Sequence, residues 1–327
     1  MKAVLCRQYG PPDSLVIDDV PSPVPGPGEV VVTVKAASVN FPDVLIIQNK
    51  YQVKPPLPFS PGSEFAGLVK VVGEGVTRFR PGDRVLAVTG YGAFAEEAKA
   101  DASRLVAIPT GMDFQTAAAF MLTYGTSDHA LVDRGQLKAG ETLLVLGAAG
   151  GVGIAAIEIG KAIGARVIAC ASNDEKLAVC RAHGADDTID YVHEDLRERI
   201  KQITGGRGVD VVYDAVGGSY TELALRSTAW RGRLLVVGFA AGEIPKIPIN
   251  LTLLKGCSIV GVFWGDFSRR EPERFAERVQ QLDHWFQQGK LKPHVSEVLP
   301  FDRAAEALSR MAARQVKGKI VLTMDQG

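Results

Sequence analysis

The chain has 327 residues, 46% of them hydrophobic and 23% charged, and its 37 basic and 37 acidic side chains balance to zero net charge. That length exceeds one ordinary domain and suits two. No basic excess points to nucleic acid, no block of like charge marks a tail, and no uninterrupted apolar run is long enough for a membrane span.

The amino terminus, MKAVLCRQYG, lacks the apolar segment of a secretory signal, so the expected compartment is the cytoplasm. Cys6, Cys170, Cys180 and Cys257 form no C-x-x-C pair. The five histidines, at 129, 183, 193, 284 and 294, form no i, i+4 or H-x-H pair, so neither a disulfide framework nor a zinc site is expected.

Short strands are predicted over 3–5, 15–17 and 29–36, separated by Gly10-Pro11-Pro12 and by the prolines between 21 and 27, which set turns and sheet edges. A helical turn follows over 44–48 and a loop to 61. Strand returns over 62–67 and 69–72, and again over 84–88. From Met112 the period is helical, with 117–122 and 127–132 apolar on one side.

The stretch 142–172 reads as a βαβ unit. Residues 142–146 are a continuous apolar run suited to a strand buried on both faces, and four glycines lie between 147 and 153. Residues 154–163 are apolar at helical spacing with Glu158 and Lys161 on the other side; Gly164 then ends the helix and 166–171 is apolar again. Glycines at such a junction let a pyrophosphate approach the N–H groups at the helix start, where the dipole favours an anion. The turn Ala148-Ala149-Gly150-Gly151-Val152-Gly153 departs from G-x-G-x-x-G in its leading alanine, yet its strand–helix–strand context points to dinucleotide binding.

Helices follow over 176–182, 196–204 and 219–227, with strands over 187–190, 209–214, 233–238 and 259–263. Six strands in all make a complete doubly wound domain. An amphipathic helix over 272–288 carries Phe275, Val279, Leu282, Trp285 and Phe286 on or near one face, where core packing is expected. Strands over 291–300 and 318–323 flank a helix over 302–312 and read as a return to the first module.

Several ordered motifs carry a family resemblance over nearly the whole chain: Ala37-Ser38-Val39-Asn40-Phe41-Pro42-Asp43, Pro61-Gly62-Ser63-Glu64-Phe65-Ala66-Gly67, Val72-Gly73-Glu74-Gly75-Val76, Phe79-Arg80-Pro81-Gly82-Asp83-Arg84-Val85 and Ala148–Gly153. The chain resembles the zinc-independent NADPH:quinone oxidoreductases of the medium-chain dehydrogenase/reductase superfamily, the zeta-crystallin-like group. The resemblance implies an α/β fold: a Rossmann doubly wound parallel sheet of six strands over 124–264, inserted into a GroES-like β-rich catalytic domain made of 1–123 and 265–327, with the active site in the cleft between them. It also implies a homodimer joined through the Rossmann edge strands at 258–263, with neither nucleic acid nor membrane as partner.

In the zinc-dependent alcohol dehydrogenases of this superfamily a cysteine and a histidine hold the catalytic metal; the matching residues here are Asn40 and Ser63, and the structural-zinc loop has no counterpart. Neither is a zinc ligand at neutral pH. No metal is therefore expected, and without a Lewis acid the favoured substrates are those whose reduced form is a stabilised anion, a hydroquinone or an enolate.

NADPH is the expected cofactor. Ala171-Ser172-Asn173 places small residues where an NAD enzyme usually presents an acid to the ribose 2′-OH, while Asp174 and Glu175 argue the other way if either turns inward. The resemblance matches Lys176 and Tyr191 to a phosphate-binding lysine and tyrosine. It adds Thr126, Ala149, Gly150, Gly151, Val152, Ser172, Asn173, Phe239, Phe263 and Lys317 as cofactor contacts, and Asn40, Asp43 and Tyr51 as the catalytic side. Ile47 and Asn49 stand where many quinone reductases of the group have arginine and glycine. The spacing from Asp43 to Tyr51 also resembles mitochondrial-type 2-enoyl thioester reductases, whose tyrosine donates a proton. Three functions stay open: reduction of quinones or related conjugated carbonyls such as enones, reduction of 2-enoyl thioesters with Tyr51 as acid, and NADPH binding with little turnover in a structural or sensing role.

Overall fold

Short apolar runs broken by prolines become strands β1 (Lys2–Leu5), β2 (Val16–Asp19), β3 (Glu29–Ser38), β4 (Glu64–Val72), β5 (Arg84–Val88), β6 (Glu97–Asp101) and β7 (Leu105–Ala107) in the computed structural model, which describes residues 1–324. Helix α1 (Phe41–Ile46) lies between β3 and β4, and α2 (Phe114–Ala118) and α3 (Met121–Asp128) follow β7. The βαβ stretch gives β8 (Thr142–Leu146), α4 (Gly151–Ile163) and β9 (Arg166–Ala171). After it come α5 (Asp174–Ala182), β10 (Asp187–Asp190), α6 (Leu196–Ile203), β11 (Val209–Asp214), α7 (Ser219–Arg226), β12 (Thr228–Val236), α8 (Asn250–Lys255) and β13 (Ser258–Gly261). Helices α9 (Trp264–Arg270) and α10 (Pro272–Gln287), strand β14 (Val295–Pro300), α11 (Ala304–Ala312) and β15 (Lys319–Thr323) complete the chain.

Two units divide these elements: Met1–Leu122 together with the chain from His294 onward, and Thr123–Pro293. In the first, β14, β15, β3, β4, β5 and β7 form one sheet in that order, with β6 paired to β3. Strand β15 runs antiparallel to β3, Val321 opposite Ser38, so the end of the chain does return to the first module. The β3–β4 approach leaves no room for a side chain at Gly67, where a Cβ would lie 2.1 Å from the Thr33 carbonyl oxygen. Strands β6 and β7 escape prediction because β6 reads Glu-Ala-Lys-Ala-Asp, residues poor in β propensity, and β7 has three residues.

The second unit is a six-stranded sheet in the order β10-β9-β8-β11-β12-β13, parallel at every pair. All five residues of β8 are buried, as a central strand covered on both faces requires. The second domain boundary expected at 264 differs from the observed division, since α9 and α10 pack within the second unit. There Arg278 clasps buried Asp128 through two hydrogen bonds of 2.6 and 2.7 Å, and the Trp264 and Phe275 rings meet edge-on at 6.0 Å. Amphipathic periodicity in a helix shows that one face is covered without showing which core covers it. Of the aromatics on α10 only partial burial results, while Leu282 is buried. Among the described residues no helix is long and apolar enough to cross a membrane.

Arg233 of β12 fastens the amino-terminal side of this sheet. Its guanidinium donates to both Glu141 carboxylate oxygens at 2.6 and 2.7 Å, to Gly135 O at 2.6 Å and to Gln136 O at 2.9 Å. Arg233→Ala strands the Glu141 carboxylate, so chemical denaturation should show a loss of about 2 kcal/mol or more. Arg233→Lys should recover only part, lacking the fork; an unchanged midpoint for Arg233→Ala would show that the network contributes nothing.

Candidate active site

The carboxyl ends of the parallel strands gather most of the expected cofactor residues. At the end of β8 the chain turns through Gly147, whose φ is +69°, and Gly150 caps the 13-residue helix α4. The positive φ falls on Gly147, one residue ahead of the leading alanine. Ala148 is fully buried and its N–H bonds Cys170 O of β9 at 3.0 Å, which explains why an alanine is accommodated there. Gly153 packs the helix onto the strand, since a Cβ there would lie 2.4 Å from Gly147 O. Ala149, Gly150, Gly151 and Val152 thus form a helix start that an anion can approach closely.

At the end of β9, Ala171 is buried and Lys176 Nζ donates to Ser172 Oγ at 3.2 Å. The Tyr191 N–H bonds Ala171 O at 3.2 Å, which brings Tyr191 beside Ser172 and Lys176; its ring packs on Tyr220 with centroids 4.5 Å apart. Asn173 is the cap of α5, accepting the Lys176 N–H at 2.9 Å, so its side chain already has a structural task. Asp174 and Glu175 are exposed on the first turn of α5, where they complement the helix dipole. Phe239 follows β12 and lies against Gly217, and Phe263 follows β13 with 55% of its surface exposed. Thr126 is half-buried on α3, next to Ser127, whose hydroxyl donates to Val152 O at 2.8 Å. These residues fit the pyrophosphate and 2′-phosphate of NADPH. Lys317 belongs to the first unit, just before β15.

The first unit holds a buried polar cluster around α1. Lys319, only 4% exposed at the start of β15, bonds Asn40 Oδ1 and Val39 O and lies 3.8 Å from Glu64 Oε2. Glu64, fully buried, accepts the Ser38 hydroxyl at 2.7 Å and the Leu122 N–H at 2.7 Å. Asn40 donates from Nδ2 to Ser38 O and Oγ, so its whole amide is engaged inward; the structure places it in the cluster's framework. Asp43, also fully buried, accepts the Asn40 N–H at 2.8 Å through Oδ2. Ser63 is near enough to favour its ionised form yet outside hydrogen-bond geometry, leaving Asp43 Oδ1 and Ser63 Oγ without a well-formed partner.

Burial dominates the electrostatics of this cluster. It pushes the Asp43 carboxyl up to about 7, raises Glu64 and lowers Lys319, with the opposite charges of the cluster working against each shift. The half-buried Tyr51 phenol is raised by burial and then by the charge of Asp43. The cluster therefore holds an exchangeable proton near neutrality. Glu64 and Lys319 both stand in motifs of the family resemblance, Pro61–Gly67 and Lys317-Gly318-Lys319, but the sequence does not show that the two side chains meet.

The Lys319 ammonium bonds the oxygen of Asn40, the residue that the resemblance matches to a metal ligand of zinc-dependent relatives. Among the described residues no group of three or more His, Cys, Asp or Glu side chains could hold a metal ion. Ile47 is fully buried, and Asn49 has φ 57°, a conformation for which glycine is the default residue; asparagine keeps that turn.

Residues 26–110 match the alcohol dehydrogenase GroES-like domain family and residues 151–283 the zinc-binding dehydrogenase family. The chain is 36% identical to a quinone oxidoreductase of Pseudomonas aeruginosa over 98% of its own length and 99% of that protein's. It is 40% identical to the quinone oxidoreductase-like protein 2 homolog of Nematostella vectensis, over 99% of this chain and 89% of the relative. Among solved structures, Escherichia coli quinone oxidoreductase complexed with NADPH superposes with a TM-score of 0.93 at 30% identity, covering 99% of this chain and all of that one. A probable oxidoreductase from Mycobacterium abscessus gives 0.90 at 39% identity, covering 99% and 98%. With these similarities spanning both units, the chain belongs to the zinc-independent quinone oxidoreductases of the medium-chain dehydrogenase/reductase superfamily.

Proposed function

We propose that the protein is an NADPH-dependent, metal-free reductase of quinones and related conjugated carbonyls. The observation that carries the cofactor is the end of β9, where no acidic side chain occupies position 171, Lys176 bonds Ser172 and the Tyr191 N–H bonds Ala171 O. NADPH bound there supplies hydride from C4 of its nicotinamide. The α4 start receives the pyrophosphate, and Lys176 with Tyr191 receives the 2′-phosphate. Two relatives of known structure are described as complexed with NADPH. A quinone that accepts hydride becomes a hydroquinone anion and needs only a proton from water, so orientation suffices.

The pair Tyr51 and Asp43 favours a second reading, reduction of enoyl thioesters. There the β-carbon takes the hydride, the α-carbon takes the Tyr51 proton, and the neutral Asp43 carboxyl replaces it. Both groups keep their protons to higher pH than usual.

The edge strand β13 supports a homodimer. Among the described residues its outer side has no partner strand, and beside it Trp230, Ile249, Leu253 and Leu254 are 64–79% exposed.

Lys176→Ala should weaken NADPH binding about tenfold and leave NADH nearly unchanged, because the lost charge-assisted bond is made only to the phosphate. Equal losses on both cofactors would remove the 2′-phosphate assignment. Side-by-side assays of a small quinone and crotonyl-CoA choose between the substrates. If Tyr51 is an acid, Tyr51→Phe lowers thioester turnover about 100-fold and spares the quinone. The Asp43 proton is present below and lost above about pH 7, so thioester turnover should fall as pH rises through that value, and Asp43→Asn should abolish the inflection. A flat profile in the wild type would exclude Asp43 as proton source. Light scattering should give a dimer mass, reduced to the monomer by Leu253→Glu; a monomeric wild type would refute the edge-strand contact.

A further inference from the structure

Glu158 lies on the side of α4 where sequence periodicity expects solvent, yet it is 4% exposed. A buried carboxylate is costly unless hydrogen-bonded, and this one is saturated from three separate segments. Its Oε2 accepts the Tyr124 hydroxyl at 2.6 Å and the Lys292 N–H at 2.8 Å, and its Oε1 pairs with His183 Nδ1 at 2.6 Å. None of the chemistry above uses it.

Tyr124 and Ser127 lie three residues apart on α3, and both are buried. Tyr124 bonds Glu158 on the second turn of α4, and Ser127 bonds Val152 O on the first, so one face of α3 is fixed to α4 at two points. Gly125 is packed under the Trp264 ring, where a Cβ would fall 2.8 Å from the indole. Thr126 is the half-buried residue of this segment, turned away from the fixed face. Its direction is therefore set by the bonds its neighbours make to α4, the helix whose start carries the glycine turn.

We propose that Glu158 is a positioning residue of the cofactor site: by holding Tyr124 it fixes α3, and with it Thr126, against the dinucleotide-binding helix, and it ties the segment ending at Lys292 to the same carboxylate. This rests on the NADPH-binding function proposed above. The gain is rigidity at the nicotinamide side, independent of the 2′-phosphate.

Titration of the full-length protein with NADPH and with NADH tests this, together with turnover of a small quinone and thermal unfolding of each variant. Tyr124→Phe keeps the ring and removes one hydroxyl; Glu158→Met removes the acceptor at similar size. Both should raise the Kd of NADPH and NADH by the same factor, about five- to tenfold, the worth of one net hydrogen bond. Glu158→Gln, whose amide oxygen still accepts from Tyr124 and Lys292 while its NH2 faces His183, should stay within about twofold of the wild type, a rescue that ties the effect to the acceptor. If Glu158→Met does not fold, Tyr124→Phe decides alone. Unchanged affinity for both cofactors in a folded Tyr124→Phe protein would overturn the proposal, as would an effect on NADPH only. A wild type that binds neither cofactor would instead overturn the NADPH function, and this inference with it.

Discussion

The Lys319 ammonium is the contact on which the first unit's architecture turns. It comes from strand β15 and reaches the Asn40 amide and the Val39 carbonyl, 279 and 280 positions earlier, and Glu64. A lysine 4% exposed survives only with partners of this kind, and removing any one leaves a charge stranded in an apolar interior. Asp43, whose Oδ2 accepts the Asn40 N–H, is buried beside them, and burial pushes its carboxyl up to about 7.

The second unit meets a comparable demand by different means. Its parallel sheet has an apolar interior, with Asp214 buried at the end of β11 on the N–H groups of Val216 and Gly217 and the Thr221 hydroxyl. Two more buried carboxylates lie on its helices. Asp128 is held by Arg278, and Glu158 by Tyr124, His183 and Lys292. Each brings a distant stretch of chain onto the sheet's helices, so the buried charges act as fasteners between segments that apolar packing alone would let slide.

Much of this was legible in the sequence. Strands β5, β8, β9 and β11 fall on their predicted residues because a buried strand is a mostly apolar run bounded by turn signals, a pattern confined to a few neighbouring residues; β10, Asp-Thr-Ile-Asp with only Ile189 buried, falls on its predicted residues without such a run. The glycine turn and the β9 terminus were legible for the same reason. The helices α8 and α9 were not, being short and flanked by segments without clear period. The polarity of Glu158 misled, since periodicity assigns a charged residue to solvent and cannot foresee three partners arriving from positions 124, 183 and 292.

The same limit governs the substrate side. Asn40, Asp43 and Tyr51 are visible as polar residues in an ordered stretch, but Asn40 and Asp43 are set among Glu64 and Lys319, which come from motifs far apart in the chain, and that these motifs meet is not visible in either of them. Asn40 shows the consequence. The resemblance implies a substrate-side role for this amide, and the structure shows its oxygen bonded to Lys319 and its nitrogen to Ser38. An internal cation from strand β15 thus holds that amide, a contact spanning 279 positions of the chain that no local pattern announces.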